Sequence, residues 1–77
     1  MALISDAAAT WSTAIQLTTD EIWQTRKGAV FISTTASPAT EDGILVQENH
    51  AVRLPAGANV RYRKDDITEA LVVREAV

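Results

Sequence analysis

The chain has 77 residues, no cysteine, a single histidine, and seven Lys and Arg against ten Asp and Glu, giving a net charge of −3 and room for one domain. That balance excludes a nucleic-acid surface built on clustered cations and offers no attraction to an anionic membrane. Without Cys the disulfide route to stability is closed, and one His cannot supply a zinc-type ligand set, so a domain this small is expected to gain stability by burial against neighbouring chains.

Residues 1–12 read as an N-terminal arm ahead of a single β domain over 13–77. The opening Met-Ala-Leu-Ile-Ser-Asp has neither the basic flank nor the apolar run of a secretory signal, and no stretch approaches the roughly 18 apolar residues of a membrane span. Synthesis and assembly in the cytoplasm are therefore expected. Asp6-Ala7-Ala8-Ala9 suits one helical turn, too brief to persist alone. Trp11 falls outside any strand pattern and is costly to leave in water, which marks it as an anchor for another chain.

From Thr13 onward, short β-prone runs alternate with turn residues at the spacing of an antiparallel β-sandwich or barrel of about seven short strands. The first run, 13–17, alternates with Ile15 and Leu17 on one face. The second, 21–26, carries Ile22 and Trp23, and Lys27-Gly28 then supplies a glycine able to take positive φ, so a hairpin is expected with the third run, 29–34. That third run, Ala-Val-Phe-Ile-Ser-Thr, is apolar on both faces. Residues 35–42, rich in Ser, Thr, Ala and Pro, read as the longest loop, closed by Asp42-Gly43.

A fourth strand over 43–47 centres on Ile-Leu-Val, and Asn49 is the expected left-handed residue before a fifth over 51–54. Leu54-Pro55-Ala56-Gly57 suits a type I turn, with Pro presetting φ. Residues 58–64 alternate most cleanly: Val60 and Tyr62 point one way, Asn59, Arg61 and Arg63 the other. Lys64-Asp65-Asp66 reads as a turn, and 68–75 as the last strand. A helix is the rival there, because Ile67, Leu71 and Arg74 fall at helical spacing, but the Val pair favours a strand.

The residues that carry chemistry elsewhere have plainer roles here. Glu41-Asp42 and Asp65-Asp66 are acid pairs that lie in turns, where Asp hydrogen-bonds its own backbone, and neither has the alternating acids of a calcium loop. His50 follows Asn49 in a loop with no nucleophile motif near it, and Gly28, Gly43 and Gly57 each fall at a turn rather than in a phosphate cradle. No catalytic, cofactor-binding or metal-binding residue is assigned, and an enzyme is not expected. Arg53, Arg61, Arg63 and Lys64 concentrate positive charge. They are either a solvated sheet face balanced by Glu48, Glu69 and Glu75, or a docking patch for an acidic partner. The aromatics Trp23, Phe31 and Tyr62 are core candidates, and Trp23 or Tyr62 would be the stacking ring if the chain were a carbohydrate-binding module. The residues expected at an interface are Trp11, Trp23, Phe31, Arg61 and Arg63.

Taken together, Ile15-Gln16-Leu17-Thr18-Thr19-Asp20-Glu21-Ile22-Trp23-Gln24, Gly28-Ala29-Val30-Phe31-Ile32-Ser33, Asp42-Gly43-Ile44, Leu54-Pro55-Ala56-Gly57 and Val60-Arg61-Tyr62-Arg63 resemble small β-sandwich accessory proteins of tailed-phage and gene-transfer-agent virions. The likeness covers most of 13–64 and rests on turns and strand alternation. It implies a homo-oligomer, a ring of identical copies, in a head-spike base, decoration or fibre-base protein, docked on a capsid or fibre partner in a virion assembled in the bacterial cytoplasm.

Overall fold

The computed structural model describes residues 2–35, 42–65 and 69–77. Among them the chain is all-β: β1 (Ala2–Ile4), β2 (Ile15–Gln16), β3 (Glu21–Lys27), β4 (Val30–Ser33), β5 (Ile44–Val46), β6 (Ala51–Leu54), β7 (Asn59–Lys64) and β8 (Leu71–Ala76). They form two four-stranded antiparallel sheets, one ordered β1-β8-β3-β6 and the other β2-β7-β4-β5. This is the expected small β-sandwich. Most of the 35–42 loop, the end of the 64–66 turn and the start of the 68–75 strand lie outside the described residues.

Strand alternation decides what each sheet buries. In β3, Glu21, Trp23 and Thr25 turn inward while Ile22 and Arg26 face solvent. In β7, Val60 and Tyr62 turn inward. With Leu17, Val30, Ile32, Val46, Leu54 and Val72 they fill the space between the sheets, and Trp23 at its centre has 0% exposure. The Tyr62 ring lies tilted against it, centroids 6.1 Å apart.

The hairpin expected between 21–26 and 29–34 does not form. β3 and β4 belong to different sheets, and Gly28 is the residue at which the chain changes layer. Its φ is +71°, and a Cβ there would stand 2.6 Å from the Glu69 carbonyl oxygen, so only glycine lets the two backbones approach this closely. Among the described residues β4 and β5 are the only consecutive strands that pair, and the other consecutive strands lie in different layers. The alternation of Val72 and Arg74 inward with Val73 and Glu75 outward gives β8 its place between β1 and β3, and the helical alternative is not adopted.

Two turns show how local chemistry works. Asn49 has φ +70°; its amide donates to the Thr25 carbonyl at 2.7 Å, and the Thr25 amide donates to His50 at 3.1 Å. The turn after β6 is shifted one residue from the expected position. Ala58 N donates to Pro55 O at 3.3 Å, and Gly57, at φ +86°, sits third, where a type II turn requires positive φ. The Ala56 amide instead donates to Asp20 Oδ1 at 2.8 Å, and with Arg53 beside it this holds the Asp20 carboxyl below its ordinary range.

The segment expected as an arm is folded in. Ala2–Ile4 extends the first sheet beside β8, and the chain then crosses to run along β7 of the second. Lys64 N donates to Ala8 O and Ser12 N to Tyr62 O, each at 2.9 Å, and Asp6 Oδ1 accepts from the Tyr62 hydroxyl at 2.7 Å.

Candidate interaction surface

The outer face of the second sheet is built by three strands in register. Phe31 of β4 stands opposite Arg63 of β7 on one side and Leu45 of β5 on the other. The next row pairs Ser33 with Arg61. Because β4 and β7 put these residues outward by alternation, a cation meets an aromatic ring directly across the strands. The Arg63 guanidinium carbon lies 4.2 Å from the centre of the Phe31 ring and 5.3 Å from that of Trp11, which closes over it from the N-terminal segment. Arg63 is only 7% exposed, although it points away from the core.

Trp11 reaches as far as the turn before β5: a Cβ on Gly43 would stand 2.9 Å from its Cη2. Arg61 Nη1 donates to Ser12 O at 3.1 Å, and the Ser12 hydroxyl accepts from Tyr62 N at 3.1 Å, so β7 holds the segment that carries Trp11 at several points. Cation–π contacts are worth about 0.5–1 kcal/mol when exposed and about 2 when desolvated. Two on one shielded guanidinium hold it in position within the single chain. Beside them, Leu45 on β5 is exposed at the sheet edge.

Four residues expected at an interface, Trp11, Phe31, Arg61 and Arg63, thus share one face. Trp23 does not join them; alternation turns it into the core, where it offers no surface to a partner. Tyr62 is buried too, so neither ring proposed for stacking on a sugar has an open face. Arg53 is likewise apart: β6 lies in the first sheet, and its Nη2 pairs with Asp20 Oδ2 at 3.0 Å. The contributors that sequence reasoning missed are Leu45 and Ser12. Leu45 is legible as the outward member of Ile-Leu-Val, whereas nothing local marks Ser12.

A second concentration of polar groups lies between the sheets. Glu21 accepts from Arg74 through both oxygens, at 2.9 and 2.8 Å, and from Trp23 Nε1 at 3.0 Å. The Arg74 bond, with a smaller share from Trp23, keeps the Glu21 carboxyl below its ordinary value, and the same bond raises Arg74. Burial, reinforced by Asp6, pushes the Tyr62 phenol up to about 12. The carboxylate is occupied by Arg74 and Trp23, and the pair ties β3 to its neighbour β8. His50 is exposed. Among the described residues no three His, Cys, Asp or Glu side chains gather as metal ligands, and no helix is long and apolar enough to cross a membrane.

No protein-family model, curated protein or solved structure matches this chain.

Proposed function

We propose that the chain is a structural component of a phage or gene-transfer-agent virion, of the head-spike-base, decoration or fibre-base kind. In this reading it carries no catalytic site, assembles with copies of itself in the bacterial cytoplasm and docks on a capsid or fibre neighbour through the outer face of the second sheet. The resemblance over 13–64 supports the virion setting. The observation that carries the docking role is the row Trp11, Phe31 and Leu45 held over the shielded Arg63 guanidinium: an aromatic surface, locked in place by the fold, that ends in an exposed leucine at a sheet edge. Such rings are what interface centres favour, and rigid ones lose little entropy when a partner binds.

Quantitative mass spectrometry of particles purified from the producing bacterium tests this. The chain is expected at a fixed ratio to the major capsid protein. Leu45→Glu is expected to lower its incorporation at least ten-fold while the purified variant keeps the wild-type melting temperature. Absence of the wild-type chain from particles, with the chain present in the cell, overturns the reading.

A further inference from the structure

The outer face of the first sheet is a second broad surface, and its charges have an arrangement that the single chain does not use. Ile22, Gln24 and Arg26 of β3, Val73 and Glu75 of β8 and Ala51 of β6 line a shallow cleft of about 210 Å³. Polar Gln24 and buried Val73 face each other at its middle, and beside it Ile22, 42% exposed, and Leu3 of β1, 60% exposed and in register with Val73, remain open to water.

Glu75 at one end, in the same cross-strand row as the Arg53–Asp20 pair, and Arg26 at the other end carry charges of opposite sign. Glu75 is directly across from Ile22, whereas Arg26 lies four residues further along β3. At about 3.3 Å per residue that is roughly 13 Å, too far for the two side chains to meet. A register shift between Thr25 and Lys27 sets Arg26 off from the ladder, the way bulges re-aim a side chain. Among the described residues neither Arg26 nor Glu75 enters an ion pair; Arg26 Nε donates only to Gln24 Oε1, at 2.6 Å.

A two-fold interface matches residue i of one copy with j of the other, and j with i. We infer that this face receives the same face of a second copy of the chain, about an axis crossing the strands at mid-cleft. Glu75 of each copy then meets Arg26 of the other, and the exposed Ile22 and Leu3 supply the apolar contact. The geometry is that of aligned sheet packing. The fold measures 31 × 26 × 17 Å, so a rectangle around its broad side encloses roughly 800 Å², an upper bound that equals the share each partner contributes to an ordinary stable interface. The inference rests on the self-assembly part of the proposed function and assigns it a surface separate from the one that docks the virion neighbour.

Sedimentation equilibrium of the full chain over about 1–500 µM tests it, because interfaces of this size are micromolar or tighter. The wild type is expected to reach at least twice the 8.3 kDa of one chain. Glu75→Arg and Arg26→Glu are each expected to weaken association at least ten-fold. Combining both in one chain exchanges the charges and is expected to restore it to within about three-fold of wild type, since the reciprocal pairs re-form. Ile22→Lys, at an exposed site, is expected to yield a monomer with a wild-type circular dichroism spectrum. Association that none of these variants changes overturns this surface and leaves self-assembly standing. A wild type that stays monomeric throughout overturns both, whereas particle incorporation remains an independent measurement of the virion role.

Discussion

Glu21→Gln keeps the shape of the side chain and removes its charge from the clamp that ties β3 to β8 on the inner face of the first sheet. The glutamine has one acceptor oxygen where the carboxylate has two, and its amide would point N–H donors at the guanidinium of Arg74. Breaking a fully buried ion pair costs about 3–5 kcal/mol. Here the Glu21 side chain is 11% and the Arg74 side chain 23% exposed, so water recovers part of the loss, and about 2–3 kcal/mol is expected. With an unfolding entropy of about 2.1 cal/mol/K per residue, the chain loses roughly 6 °C of melting temperature per kcal/mol, hence about 12–18 °C. The pH dependence gives a second reading. The folded carboxyl titrates below its ordinary value of 4.5, so its stabilisation is complete above 4.5 and disappears as pH falls through the lower folded value. Thermal melts followed by circular dichroism should show the full gap between wild type and variant near neutrality and a closing gap in acid. A gap under about 4 °C at neutrality, or one that persists undiminished in acid, would refute the clamp.

Other substitutions separate the effects of packing, backbone and protonation. Thr25 is fully buried and its Oγ1 has no hydrogen-bond partner, so Thr25→Val, which removes the unsatisfied hydroxyl at nearly constant volume, should raise stability by about 0.5–1 kcal/mol in urea titrations. Gly57→Ala meets nothing within 4 Å and should cost only the left-handed backbone penalty, about 1–2 kcal/mol. Gly28→Ala adds the collision with the Glu69 carbonyl and should cost at least about 1 kcal/mol more by the same titration. Tyrosinate absorbance should appear near pH 12 in the folded protein rather than near 10.0. Because the folded phenol titrates above the unfolded one, the stability it contributes is present below 10.0 and lost as pH rises toward 12.

The residues of the second sheet's outer face were legible to different degrees. Arg61 and Arg63 read as outward because β7 alternates strictly, and Phe31 because the third run is apolar on both faces. Trp23 was misplaced as a partner contact, since a tryptophan beside an isoleucine on one strand does not reveal which of the two faces inward. The Trp11 anchor was recognised as lying outside the strand pattern, but its place over Arg63 depends on the segment 5–14 running along β7. That path follows from bonds between residues about 50 positions apart, such as Ser12 to Tyr62.

By itself the sequence determined where the strands from β2 onward lie, whereas β1 at Ala2–Ile4 falls in the segment expected as an arm. Period-two alternation, left-handed φ at Asn49 and at the glycines, and the absence of any long amphipathic helical stretch are local properties, set by sterics within a few residues. The tertiary structure alone decided which strands share a sheet, that Lys27-Gly28 changes layers instead of turning a hairpin, and that the N-terminal segment spans both sheets. The physical reason is that alternation says a residue has an inside and an outside but not which distant strand supplies its hydrogen bonds. Pairing is chosen by the packing of the whole core around Trp23, and that choice brings Trp11, Arg63, Phe31 and Leu45 onto one face.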